Sequence, residues 1–100
     1  MAVRHIFLWR VAPGHDHDEI VEILNTLPDE CPGIVAWNIG RNAAPPNENG
    51  EPWDGALISD HESWEMLDAY SNHPFHTEVV AKLMPRFADR AVVDYELSDS

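Results

Sequence analysis

Apolar side chains occupy both rows of the alternating segment at residues 2–11. Val3, His5, Phe7, Trp9 and Val11 share one face, and Arg4, Ile6, Leu8 and Arg10 share the other. That pattern predicts a strand buried on both sides. Pro13-Gly14 turns the chain, after which Ile20, Ile23, Leu24 and Leu27 recur at i, i+3, i+4 and i+7, preceded by Asp16, Asp18 and Glu19. Acidic residues suit the positive end of a helix, so a first helix is predicted here, ending at Pro28. Residues 34–40 are rich in strand formers and predict a second strand; residues 42–52, with Pro45, Pro46 and Asn49-Gly50, predict a long exposed loop. A third strand is placed at about residues 53–59. Residues 60–63 then lead into a helix carrying Trp64, Met66, Leu67 and Tyr70. Pro74 interrupts that helix, but proline is tolerated in a first helical turn. Residues 73 to about 83 therefore predict a new helix, capped by Asn72 or His73. A last strand is placed at residues 90–97.

The order strand, helix, strand, strand, broken helix, strand predicts one α+β domain, 1–100, with a ferredoxin-like four-stranded antiparallel sheet and helices on one face. Helices on one face leave Ile6 and Leu8 uncovered on the other. At 100 residues, where a monomer's core is modest, a homodimer is expected to bury them. Composition narrows the partners further. Eighteen acidic against six basic side chains give a net charge of −12, which argues against binding nucleic acid or an anionic membrane. Cys31 has no second cysteine to pair with and is read as structural. Neither a leader pattern nor an apolar run of membrane-spanning length is visible, so a cytoplasmic location is expected.

Candidate chemistry lies in Tyr70-Ser71-Asn72-His73-Pro74-Phe75-His76. His76, Val79, Val80 and Leu83 have the spacing 0, 3, 4, 7, which places an imidazole on the buried stripe of the last helix. Desolvation and the positive helix end both disfavour an imidazolium there, and a neutral imidazole can act as a base. Tyr70 can supply a phenol to a developing oxyanion, and His5 can point into the same layer. Phe7, Trp9, Ile23, Leu27, His73, Val79 and Phe87 are the candidate walls of a substrate pocket, and no cofactor is required for such proton transfer. Two other readings stay open. His5 and His76 can be core histidines satisfied by structural partners, with Tyr70 capping a helix junction. Alternatively His73 and His76, at i and i+3, can join His5 around a metal, although no full ligand set is evident. His15 and His17 sit in an acidic turn and are expected to be solvated. Trp9, Trp37, Trp53 and Trp64 are read as core or pocket-wall aromatics.

Arg4-His5-Ile6, Pro32-Gly33, Gly40-Arg41-Asn42, Glu62-Ser63, the segment from Tyr70 to His76, and Val92-Val93-Asp94-Tyr95 together resemble the stress-responsive dimeric α/β-barrel domain family over nearly the whole chain. The resemblance implies a ferredoxin-like monomer whose sheet pairs with that of a second copy, and a small-molecule pocket between helices and sheet. Plant members of the family include a cyclase that closes a linear polyketide by an intramolecular aldol step and a hydroxynitrile lyase. Resemblance to the cyclase implies a catalytic tyrosine at Tyr70, a catalytic histidine at His76 and a pocket histidine at His5. The chain departs from it at Gly55, where the cyclase has another histidine, and at Arg90, where it has an apolar wall residue. The implied function is a small enzyme of lyase, cyclase or isomerase type acting on an apolar, aromatic or polyketide-like carbonyl compound. The alternative is a non-catalytic ligand-binding or stress-responsive homodimer.

Overall fold

In the computed structural model, which describes residues 1–98, four strands form one antiparallel sheet: β1 (Val3–Val11), β2 (Ile34–Arg41), β3 (Gly55–His61) and β4 (Phe87–Glu96). Their order is β2-β3-β1-β4, so the first strand is central and pairs with the last. Helices α1 (His17–Leu24), α2 (Leu27–Glu30), α3 (Trp64–Ser71) and α4 (Pro74–Leu83), with a 3-10 turn at Met84–Arg86, complete the chain. This is the ferredoxin-like α+β arrangement. The alternation in β1 sets the layers: Val3 and Trp9 are fully buried, and they join Ile20, Leu24, Leu27, Leu57, Leu67, Tyr70, Val79 and Leu83 in a core between sheet and helices. Each such aliphatic side chain, fully buried, contributes about 1.5–3 kcal/mol of hydrophobic stabilisation.

Three boundaries differ from the sequence reading. The first helix ends at Leu24 with Asn25 as its cap, not at Pro28. Proline has no N–H to give to the Leu24 carbonyl four residues back. Pro28 is instead accommodated in the first turn of the separate helix α2, where that N–H would be unused. β3 runs from Gly55 to His61, two residues later than expected, because pairing continues through Arg4↔Asp60 and Val3↔His61. β4 begins at Phe87, since Val11↔Phe87 and Arg10↔Asp89 extend the ladder across a bulge at Arg10/Val11. The entry to α4 follows expectation. His73 is the cap, its Nδ1 accepting the Phe75 backbone N–H at 3.1 Å.

Helix α3 starts where Ser63 accepts the Met66 N–H, and α1 where Asp16 accepts the Asp18 N–H. On the sheet face away from the helices, Arg4 donates two hydrogen bonds to Asp60, at 2.8 and 2.9 Å. That bonding holds the Asp60 carboxyl below its usual range. Ile6, Leu8 and Ile58 lie on the same face, half-buried, together with Val93 and Tyr95, which remain 55% and 42% exposed.

Candidate active site

Register brings the polar residues of the helix-side face to one end of the sheet. His5 stands opposite Ser59 on β3 and opposite Asp94 on β4, and His61 lies two residues beyond Ser59. Above them pass the end of α3, carrying Tyr70, and the first turn of α4, carrying His76. The kink at Asn72 to Pro74 lets two short helices aim these side chains at one point: the rings of Tyr70 and His76 are 4.7 Å apart between centroids. His61 lies 4.8 Å from Tyr70 on its other side, and His5 lies 6.3 Å from both Tyr70 and His61.

Part of this cluster borders a cavity of about 420 Å³ between sheet and helices. His5, Tyr70 and His76 line it, and the remaining wall is chiefly apolar: Phe7, Leu24, Leu27, Leu57, Val79, Val80, Leu83, Met84, Phe87 and Val92. Of the wall residues expected from the sequence, Phe7, Leu27, Val79 and Phe87 stand in it; Trp9, Ile23 and His73 do not. Trp9 is fully buried deeper along β1, between Phe7, Phe87 and His17, with its ring centroid 5.6–6.2 Å from theirs. Ile23 packs against the core from α1, where its neighbour Leu24 takes the cavity-facing position, and His73 is occupied as the α4 cap. Trp37 donates from Nε1 to Asn25 Oδ1, Trp53 lies under the Arg10 guanidinium, and Trp64 is 46% exposed. None of the four tryptophans lines the cavity. Gly55 cannot carry a side chain into this layer, because a Cβ there would meet Trp9 Cζ2 at 2.3 Å and His17 Nε2 at 2.7 Å.

Electrostatics differ sharply among the polar groups. Burial pushes the Tyr70 hydroxyl well above the ordinary phenol value, so it stays protonated and keeps a proton to donate. His76 is held below the usual imidazole value, first by desolvation and then by the nearby His5 and His73, although its contact with the Ser71 backbone carbonyl works the other way. The result favours the neutral imidazole. His5 Nδ1 is bonded to Asp94, and a ring that donates from Nδ1 leaves Nε2 as its free acceptor.

His61 is the residue the sequence reading missed. It is fully buried, its Nε2 shares a 2.9 Å hydrogen bond with Ser59 Oγ, its Nδ1 has no partner among the described residues, and desolvation lowers its pKa. The signal was present in the two-residue period Gly55, Leu57, Ser59, His61, which extends the buried face of β3 by one more step. His17 also departs from expectation. It is buried against Trp9 instead of solvated, and desolvation lowers its pKa, whereas His15 is exposed as expected. Cys31 is buried at the end of α2, where desolvation raises its thiol pKa. No three His, Cys, Asp or Glu side chains among the described residues are placed to hold a metal ion.

Residues 3–97 match the family model for the stress responsive A/B barrel domain. Among solved structures, the chain is similar to a dimeric ferredoxin-like protein of unknown function from Thermobifida fusca (27% identity, 97% of this chain and 92% of that one, TM-score 0.82). It is also similar to the hydroxynitrile lyase of Passiflora edulis (20% identity, 99% and 95%, TM-score 0.85). The third is the Arabidopsis thaliana protein At3g17210 (21% identity, 98% and 97%, TM-score 0.86). No curated protein matches the chain.

Proposed function

The chain belongs to the stress responsive A/B barrel domain family, and from that premise we propose that it is a homodimeric, cofactor-independent enzyme of lyase, cyclase or isomerase type. Its substrate in this reading is a small, mostly apolar carbonyl compound. The observation that carries the proposal is the 4.7 Å approach of Tyr70 and His76 in the wall of a mostly apolar cavity. His76 acts as general base, removing a proton from the carbon beside the carbonyl or from a cyanohydrin hydroxyl, and returns it as general acid. Tyr70, held neutral by burial, donates a hydrogen bond to the oxygen where negative charge develops. His5, oriented by Asp94, positions that oxygen. The cyclisation arm rests on the resemblance of Tyr70, His76 and His5 to the corresponding residues of olivetolic acid cyclase. Cyanohydrins are included because one protein of the same fold is a hydroxynitrile lyase.

The test is turnover of a panel of aldehydes, diketides and cyanohydrins by His76→Ala, Tyr70→Phe and the double variant, each checked for folding. Losing a general base costs about a hundred- to ten-thousand-fold in rate. Residues acting as one proton-transfer unit also give a double variant little worse than either single one. Folded His76→Ala protein with undiminished turnover refutes the assignment, and a chain that binds these compounds without turning any over supports the ligand-binding alternative.

A further inference from the structure

Arg4, Arg10, Arg41 and Arg86 each pair with a carboxylate: Asp60, Asp89, Asp18 and Glu19 respectively. Arg90 has no carboxylate partner among the described residues, in a chain of 18 acidic side chains. Its neighbour Asp89 is already committed, with Oδ2 accepting from Arg10 and Oδ1 from the Arg90 backbone N–H. The Arg90 guanidinium instead contacts Met84 Sδ at 2.8 Å, a weak acceptor that cannot neutralise it. Both residues line the cavity wall.

Arg90 pairs with Trp9 on β1, and Asp94 pairs with His5. Both β4 residues therefore face the helix side, four residues apart, which is about 13 Å along a strand. The cavity thus has the His5, Tyr70 and His76 cluster toward one end, apolar walls between, and toward the other the exposed Arg90, which has no carboxylate partner among the described residues. We propose that Arg90 receives a carboxylate at the far end of the substrate, making the ligand an apolar chain or ring with a carbonyl at one end and an acid at the other. A guanidinium fork matches a carboxylate with two parallel hydrogen bonds, which a neutral amide cannot reproduce. The inference deepens the carbonyl-enzyme reading and rests on it for the identity of the reacting end.

Binding separates the two ideas, because it needs no turnover. Octanoate and its neutral counterpart octanamide are titrated into the full chain by calorimetry at low ionic strength, with Arg90→Gln and Arg90→Lys as variants. The wild type should prefer octanoate by about tenfold, as a charge-assisted hydrogen bond implies. Arg90→Gln should abolish the preference, Arg90→Lys should restore part of it, and added salt should weaken it. The preference is read from binding alone, so failure of the catalytic assignment leaves this result standing. Equal binding of the two probes, a preference unchanged in Arg90→Gln, or no octanoate binding at millimolar concentration would each overturn the proposal.

Discussion

His61, His76 and His17 are buried to different degrees, and each is held below the ordinary imidazole value of 6.5 with desolvation as the largest cause. The sign of their effect on stability follows from linkage. Above pH 6.5 both folded and unfolded chains carry these rings neutral, and their contribution is complete. Below it the unfolded chain takes up protons that the folded chain resists, so stability falls as pH drops through the folded values. Asp60, held low by Arg4, keeps its charge through that window and gives up its contribution only at more acid pH. The midpoint of thermal unfolding should therefore be level from about pH 7 to 8 and decline as the pH falls below about 6.5. His61→Gln should flatten part of the decline; an unchanged slope in that variant would remove His61 from the account. At this scale the sequence disclosed residue types and faces but not depth. Trp9 shares its row with His5 and Phe7, and only the position of Gly55 beneath it shows that it fills the core instead of the cavity.

Elements were legible where a period ran long and ambiguous where two signals met. β1 and α4 are found close to where alternation and the 0, 3, 4, 7 spacing put them. The sequence alone ends β3 at about residue 59, because Asp60-His61-Glu62-Ser63 looks like a polar turn. What overrides that local reading is pairing with Arg4 and Val3, a contact some 56 residues away along the chain, and it hid His61. Two substitutions compare local with tertiary determinants. Ser63→Ala removes the N-terminal cap of α3 and should cost about 1 kcal/mol. Gly55→Ala leaves β-strand propensity intact but drives a methyl group into the Trp9 ring, which should cost about 1–3 kcal/mol. Urea unfolding of the two variants should rank Gly55→Ala as the worse; the reverse order would mean that the Trp9 layer is loose enough to shift.

The whole molecule is a slab, with principal extents of 36 × 33 × 16 Å, and only one side of its sheet carries helices. The apolar row Ile6, Leu8, Ile58 and Val93 on the open side is the reason to expect a homodimer, and it was visible as the second apolar row of β1. Light scattering should give twice the mass of 11.3 kDa. Leu8→Glu should halve it or unfold the chain, since a buried carboxylate would lose hydration without gaining a partner. A folded monomer in the unaltered protein at low micromolar concentration would sink this expectation.

The central position of β1 also has a consequence for how the chain is made. Its ladder to β4 joins Val3 to Glu96, so the earliest strand to leave the ribosome waits for the latest before the sheet can close. Contacts so remote along the chain slow folding, because the loop between them must be closed before it is rewarded. Until β4 is complete and docked, His5 has no Asp94 to orient it and the ladder that holds Phe87 in the cavity wall is unfinished. The nascent polypeptide thus holds Tyr70 and His76 for some time without the floor beneath them, and a chain released early would be an incomplete sheet with a sticky edge at β1.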